Sequence, residues 1–127
     1  MNVSNYILGP HLVGIIMLLL GLIMTKFPPK KINNWYGYRT ASSMKNQQTW
    51  DEANRYSAKM MVIMGLILLI AGFLLTVLVN YLITDKQKAE GLMMGITIAM
   101  GILPAAIMIA RTESHLDKTF NNKNEIR

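Results

Sequence analysis

The sequence predicts an all-α integral membrane protein: three transmembrane helices with an ordered cytoplasmic loop between helices 1 and 2. Three observations carry this. The apolar residues, 52% of 127, fall into three long blocks instead of being dispersed. Each block is apolar all round, as lipid-facing helices are, with no single apolar stripe. The lysines and arginines concentrate in the long segment between the first two blocks and in the tail, which gives the blocks a direction across a membrane.

The first block covers about residues 7–27 and contains HLVGIIMLLLGLIMT. A helix of roughly 20 apolar residues crosses a hydrocarbon layer of ~30 Å. The leading MNVSNY holds no Lys or Arg, and Lys26 with Pro28-Pro29 follows where a signal peptide would carry a small-residue cleavage site, so the block reads as a retained span. Pro28-Pro29 ends that helix, because proline lacks an amide donor and restricts the residue before it. The second block covers about 60–84 and the third about 91–110. Residues 28–59 form the first loop, 111–127 the tail, and the whole of 1–127 one membrane domain.

Orientation follows from the positive-inside rule. Seven Lys and Arg lie from Lys26 to Lys59, four from Arg111 onward, two in the turn at Lys86 and Lys88, and none before the first block. The N-terminus is therefore placed outside, and the long loop and the tail in the cytoplasm. The net charge of +6 is assigned to orientation and to anionic membrane lipids, with no direct nucleic-acid partner. With no cysteine, disulfides, thiolate metal sites and cysteine nucleophiles are excluded. His11 and His115 are far apart in sequence, so no metal site is expected, and no cofactor. No nucleophile-base motif or phosphate loop is present, and the chain is read as a non-enzyme. Glu113, His115 and Asp117 alternate and so do not share one helix face.

In the third block Gly91, Gly95 and Ala99 recur every four residues, a packing face for another helix. Gly14 and Gly21, and Gly65 and Gly72, each seven apart, are read as its receivers within the chain. A homodimer is the other use of the same face. Thr97 is expected to hydrogen-bond between helices.

The passage NNWYGYRTASSMKNQQTWDEANRY, residues 33–56, is the one long polar stretch between apolar blocks. Trp35, Tyr36 and Tyr38 suit the membrane–water boundary. Gly37 suits a turn or close backbone approach. Thr49 and Glu52 fit a capping box, which predicts a helix from Trp50 running unbroken into the second span, to about Thr84. On it Trp50, Asn54 and Ser57 share one face. Arg39 has two readings. Its planar fork clamps a phosphate or carboxylate, or it caps a helix end or pairs with Asp51 or Glu52 to hold the loop's shape. Asn34, Thr40, Trp50 and Asn54 are expected to join Arg39 in one hydrogen-bonded knot, a folded plug under the helices.

Asn34, Trp35, Tyr36, Gly37, Tyr38, Arg39 and Thr40, then Ser43, then Trp50, Ala53 and Asn54, together resemble the signature of the SdpI family of bacterial membrane proteins. That pattern is an asparagine, a Gly-x-Arg-Thr core, then a tryptophan with an Ala-Asn pair, set between two transmembrane helices. The resemblance covers most of the chain and implies a multi-pass protein of the bacterial cytoplasmic (inner) membrane, reduced to a three-span module. It also implies immunity or resistance toward a membrane-active toxin or antimicrobial peptide. The alternatives are a signalling module whose loop sequesters a cytoplasmic repressor, and a lipid-headgroup binder or enzyme at the cytoplasmic face. The implied partners are membrane lipids, a peptide toxin and a cytoplasmic repressor. The motif residues carried over are Asn34, Gly37, Arg39, Thr40, Trp50 and Asn54.

Overall fold

The computed structural model describes residues 6–121. The start of the N-terminal segment and the end of the tail, with Lys123 and Arg127 of the charge count, lie outside the described residues. Among the described residues three helices follow one another: α1 (Pro10–Lys26), α2 (Gln47–Leu82) and α3 (Lys86–Leu116), the last continuing into a π-helical turn, Asp117–Asn121. No strand occurs among the described residues. The 36 residues of α2 and the α3 segment through Asn121 are long and apolar enough to cross a membrane, whereas α1 is a shorter apolar helix of 17 residues. At 1.5 Å per residue α2 is about 54 Å long and α1 about 26 Å.

Each helix start has a local cause. Pro10 opens α1 at a position where its missing N–H costs nothing. α2 begins three residues before the predicted start. Asn46 is the N-cap, its side chain accepting from the Thr49 N–H at 3.0 Å, while the Thr49 hydroxyl accepts from the Asn46 N–H at 3.2 Å. The capping box is thus Asn46–Thr49, not Thr49–Glu52, and Glu52 is free for other partners. Asp85 caps α3 through the Gln87 and Lys88 amides after a turn of only three residues.

α1 and α2 pack antiparallel along a seam of small residues. A Cβ added to Gly14 would lie 2.3 Å from the Leu69 backbone nitrogen, and one added to Gly65 would lie 2.5 Å from that of Leu18. Gly21 meets Met61 and Val62, and Gly72 meets Pro10 and His11. The facing positions, 11, 14, 18 and 21 against 72, 69, 65 and 62, repeat in steps of three and four, the spacing of a continuous interhelical seam. The expectation that these glycines receive α3 is therefore corrected: they receive one another. Gly91, Gly95 and Ala99 are exposed, and nothing lies within 4 Å of a Cβ placed on Gly91 or Gly95. Among the described residues that face packs against no helix. Thr97 bonds its own helix, at the Met93 carbonyl, which removes the need for a partner across the bundle.

α3 instead touches α2 near both ends. At the α2–α3 turn Val79, Ala89 and Met93 are buried together with Ile83 and Ile96 against them. At the other end Ala53 and Leu116 are buried with Tyr38 of the loop, flanked by Met108 and Phe120. Large apolar side chains such as Leu19, Phe73 and Ile102 are more than half exposed along all three helices, the composition a lipid environment favours. Four of the six buried polar side chains among the described residues, Ser43, Thr49, Asn54 and Ser57, gather at the end of α2 that meets the loop; Thr76 and Thr112 are the other two.

Candidate functional site

The loop from 27 to 46 is folded onto the first turns of α2. Trp50 has no exposed surface, and its indole N–H donates to the Pro29 carbonyl at 2.8 Å. One turn on, Asn54 uses both ends of its amide: it donates to the Trp50 carbonyl at 2.9 Å and accepts from the Tyr38 N–H at 2.6 Å. Ser57 is buried on the same face, as the spacing predicts. Gly37 has φ of +113°, and a Cβ there would lie 2.5 Å from Asn54 Oδ1 and 2.8 Å from Pro29 Cγ. Only glycine satisfies both the backbone angle and the space.

Around this node the loop is tied by short side-chain bonds. The Asn33 carboxamide accepts from the Trp35 and Tyr36 amides, an Asx turn. Tyr36 Oη donates to the Phe27 carbonyl at 2.8 Å. Buried Ser43 donates to the Tyr38 carbonyl and accepts from the Thr40 N–H. The Thr49 hydroxyl donates to the Ser43 carbonyl at 3.1 Å, which joins the loop to the helix cap.

Two acids then fasten this assembly to α3. Glu113 Oε1 accepts from the hydroxyls of Tyr38 at 2.9 Å and Thr40 at 2.7 Å. Burial pushes its carboxyl pKa up, but hydrogen bonds from Ser42, Thr40 and Tyr38 outweigh that and hold it below its ordinary value. The Tyr38 phenol moves the other way, raised by burial and by the carboxylate beside it. From the α2 side, Glu52 takes a forked pair of bonds from Arg55 at 2.6 and 3.0 Å, and His115 Nε2 lies 2.6 Å from its Oε1. The Arg55 bonds, against an opposing burial effect and helped by His115, lower the Glu52 pKa. The ionised carboxylate only accepts, so His115 donates. The imidazole also stacks on Tyr56, rings 4.1 Å apart and 9° from parallel. Glu113 reaches the loop and His115 reaches α2, consistent with their lying on different faces.

The sequence-predicted residues thus separate. Gly37, Trp50 and Asn54 form the buried node. Thr40 belongs to the Glu113 cluster. Arg39 and Asn34 stand outside both: Arg39 is exposed, and its guanidinium donates to the Asn34 carbonyl. No ion pair links Arg39 to Asp51 or Glu52, so the single knot through Arg39 is replaced by an interior without it. Trp35 of the same loop is 92% exposed. Glu113 and Asn46 are structural partners that sequence reasoning missed, and Tyr38 and Ser43, which it named in the signature, are buried partners of the node, Tyr38 in place of the boundary position expected of it. A signal for Glu113 existed: it sits next to Thr112 and one turn before Leu116, on the stripe that α3 buries. Among the described residues no group of three His, Asp or Glu stands close enough to hold a metal.

These carboxylates set a pH limit. Glu113 and Glu52 have lowered folded-state values, so their stabilisation is present above the ordinary carboxyl value of 4.5 and is lost as pH falls through the lower folded values. Tyr38 sets the opposite limit: its contribution holds below 10.0 and is lost as pH rises beyond it. Hydrogen exchange of the residue 38–43 amides should therefore be slow between these limits and accelerate below pH 4.5 relative to the intrinsic rate. In Glu113→Gln, which keeps an acceptor, the acid acceleration should shrink.

Two long apolar helices, a shorter third and a folded polar loop bolted to one end of the bundle define a small helical membrane protein. The SdpI/YfhL protein family model matches residues 30–110, more than half of the chain, and the chain belongs to that family. It is similar to a Bacillus subtilis (strain 168) protein named "Uncharacterized protein YfhL", at 50% identity over 62 residues, 49% of this chain and 56% of that relative. The chain thus matches little more than half of the relative's length. No solved structure matches it.

Proposed function

We propose that this chain is a three-span protein of the bacterial cytoplasmic membrane, N-terminus outside and C-terminus inside, that confers immunity or resistance to a membrane-active toxin or antimicrobial peptide. Family membership over residues 30–110 carries the reading. In it, the exposed apolar faces of the helices intercept the toxin within the bilayer, and the folded loop fixes the cytoplasmic ends of those helices. The role is non-enzymatic. A second reading has its own observation: Arg39 and Trp35 are both exposed on the loop, Arg39 bonding the carbonyl of Asn34, the residue before Trp35, a surface suited to holding a soluble regulator at the membrane.

Survival of cells expressing wild type and Arg39→Ala against a panel of membrane-active toxins, with membrane levels matched, separates the readings. Immunity through the helices predicts that both protect. Loss in Arg39→Ala alone moves the function to the loop surface, and protection by neither removes the immunity reading. The topology is tested separately. The chain has no cysteine, so Lys31→Cys should react with a membrane-impermeant maleimide only after lysis, and Gln87→Cys in intact spheroplasts.

A further inference from the structure

A cavity near the loop has a lining that does not include Glu113. It is a cleft of about 740 Å³ between the end of α1 and the first turns of α2. Its origin is local. Gly21 holds α1 against Val62, but below that point Pro28-Pro29 ends the helix, and the Trp50 indole draws the Pro29 carbonyl across the face of α2. What opposes α2 there is a thin proline strand, and Ala58 is too small to fill the gap.

The cleft changes character along its length. One half is lined by Leu22, Val62 and Ile63. Thr25 adds no polarity, because its hydroxyl donates to the Gly21 carbonyl of its own helix. The other half carries Lys30, Arg55 and Lys59. Lys59 precedes Ile63 by one helical turn, so the step from apolar to cationic occupies about 6 Å, the rise of four residues. Arg55 is already engaged by Glu52. The one acid in the lining, Asp51, accepts from Gln47 Nε2 at 2.7 Å, and the same amide donates to the Lys30 carbonyl, fixing the rim. Lys30 and Lys59 have no ion-pair partner among the described residues.

An apolar trough that ends in two unpaired ammonium groups is complementary to one amphiphile with an anionic head. We propose that the cleft is a binding site for an anionic phospholipid of the cytoplasmic leaflet, its acyl chain along Leu22, Val62 and Ile63 and its phosphate between Lys30 and Lys59. The site rests on the three-span topology proposed above and not on the immunity role. It would place a structural lipid directly against the chain segment that Trp50 and Asn54 hold.

The test is native mass spectrometry of the intact protein released from nanodiscs made of equal parts phosphatidylglycerol and phosphatidylcholine. Wild type should retain phosphatidylglycerol preferentially. Lys30→Ala/Lys59→Ala should lower that retention roughly 25-fold, since each lysine near an anionic headgroup contributes about a factor of five. Lys26→Ala/Lys31→Ala removes the same charge from outside the cleft and should lower it far less. Ile63→Trp, which fills the trough and keeps every cation, should also displace the lipid. Equal loss in the two lysine pairs, or equal retention of phosphatidylcholine by wild type, overturns the site. So does competition by glycerol phosphate alone, which would make it a site for a soluble phosphate. Maleimide labelling at positions 31 and 87 shows independently whether the topology has failed instead.

Discussion

Replacing Gly14 by leucine will force the first two helices apart and cost about 3 kcal/mol or more. The reason is what the new side chain meets. Its Cβ would lie 2.3 Å from the Leu69 nitrogen and 2.7 Å from its Cα. Backbone atoms inside a helix do not swing away as a side-chain tip does, so relief requires the helices to separate. Separation then loses the contacts at Gly21, Gly65 and Gly72, because all four glycines belong to one seam. In a bilayer, helix association depends on such close packing, since lipid is as apolar as the side chains it replaces. Gly95→Leu is the control: it adds the same side chain to a position with nothing within 4 Å. Denaturant titration in detergent, followed by circular dichroism, should show a large loss for Gly14→Leu and little change for Gly95→Leu. Equal behaviour of the two variants would contradict the seam. A loss confined to Gly95→Leu would mean that the exposed Gly91-Gly95-Ala99 face packs against a second copy.

The seam also shows where sequence reasoning reaches and where it stops. The apolar blocks located all three helices but not all their ends: 7–27 comes close to Pro10–Lys26, whereas 60–84 and 91–110 mark only the apolar parts of Gln47–Leu82 and Lys86–Leu116, because composition reports where a helix is apolar and not where its polar turns begin. Glycines seven apart announced helix contacts but not which helices meet. Gly14 and Gly65 have the same spacing whether their partner is each other or α3, and only the three-dimensional register decides. The start of α2 failed for a related reason. Asn46–Thr49 and Thr49–Glu52 are overlapping cap patterns, and Glu52 is drawn away from the cap by Arg55 and His115. Trp50, Asn54 and Ser57 were legible as one face because helical spacing is a local property. The partners of that face were not. Pro29 lies 21 residues before Trp50, which it accepts from, and Tyr38 lies 16 before Asn54, and no periodicity links such distances. Arg39 was the most conspicuous residue of the loop, yet it binds only the nearby Asn34 carbonyl. The loop's fold rests on the less conspicuous amide and indole.

That division of labour gives the second large prediction: Trp50→Ala will unfold the loop while leaving the three helices intact. Trp50 is the largest fully buried side chain among the described residues. Truncating a buried tryptophan costs about 3–5 kcal/mol through lost burial and the cavity left behind. Here a further loss is specific, because the indole N–H is the bond that fastens Pro29 to α2. Trp50→Phe separates the two effects. It keeps most of the aromatic volume but leaves the Pro29 carbonyl without that donor, at about 1–3 kcal/mol. Limited proteolysis of the loop should therefore rank wild type slowest, Trp50→Phe intermediate and Trp50→Ala fastest, with far-ultraviolet circular dichroism almost unchanged. A helical signal that collapses in Trp50→Ala would show that the loop supports the bundle as well as resting on it. Equal rates for phenylalanine and wild type would reduce the Pro29 bond to a passive contact. The intermediate rank would make it the latch that sets the path of the chain between α1 and α2. Because the same latch forms one wall of the lysine-rimmed cleft, phosphatidylglycerol retention should fall in the same order as the loop opens.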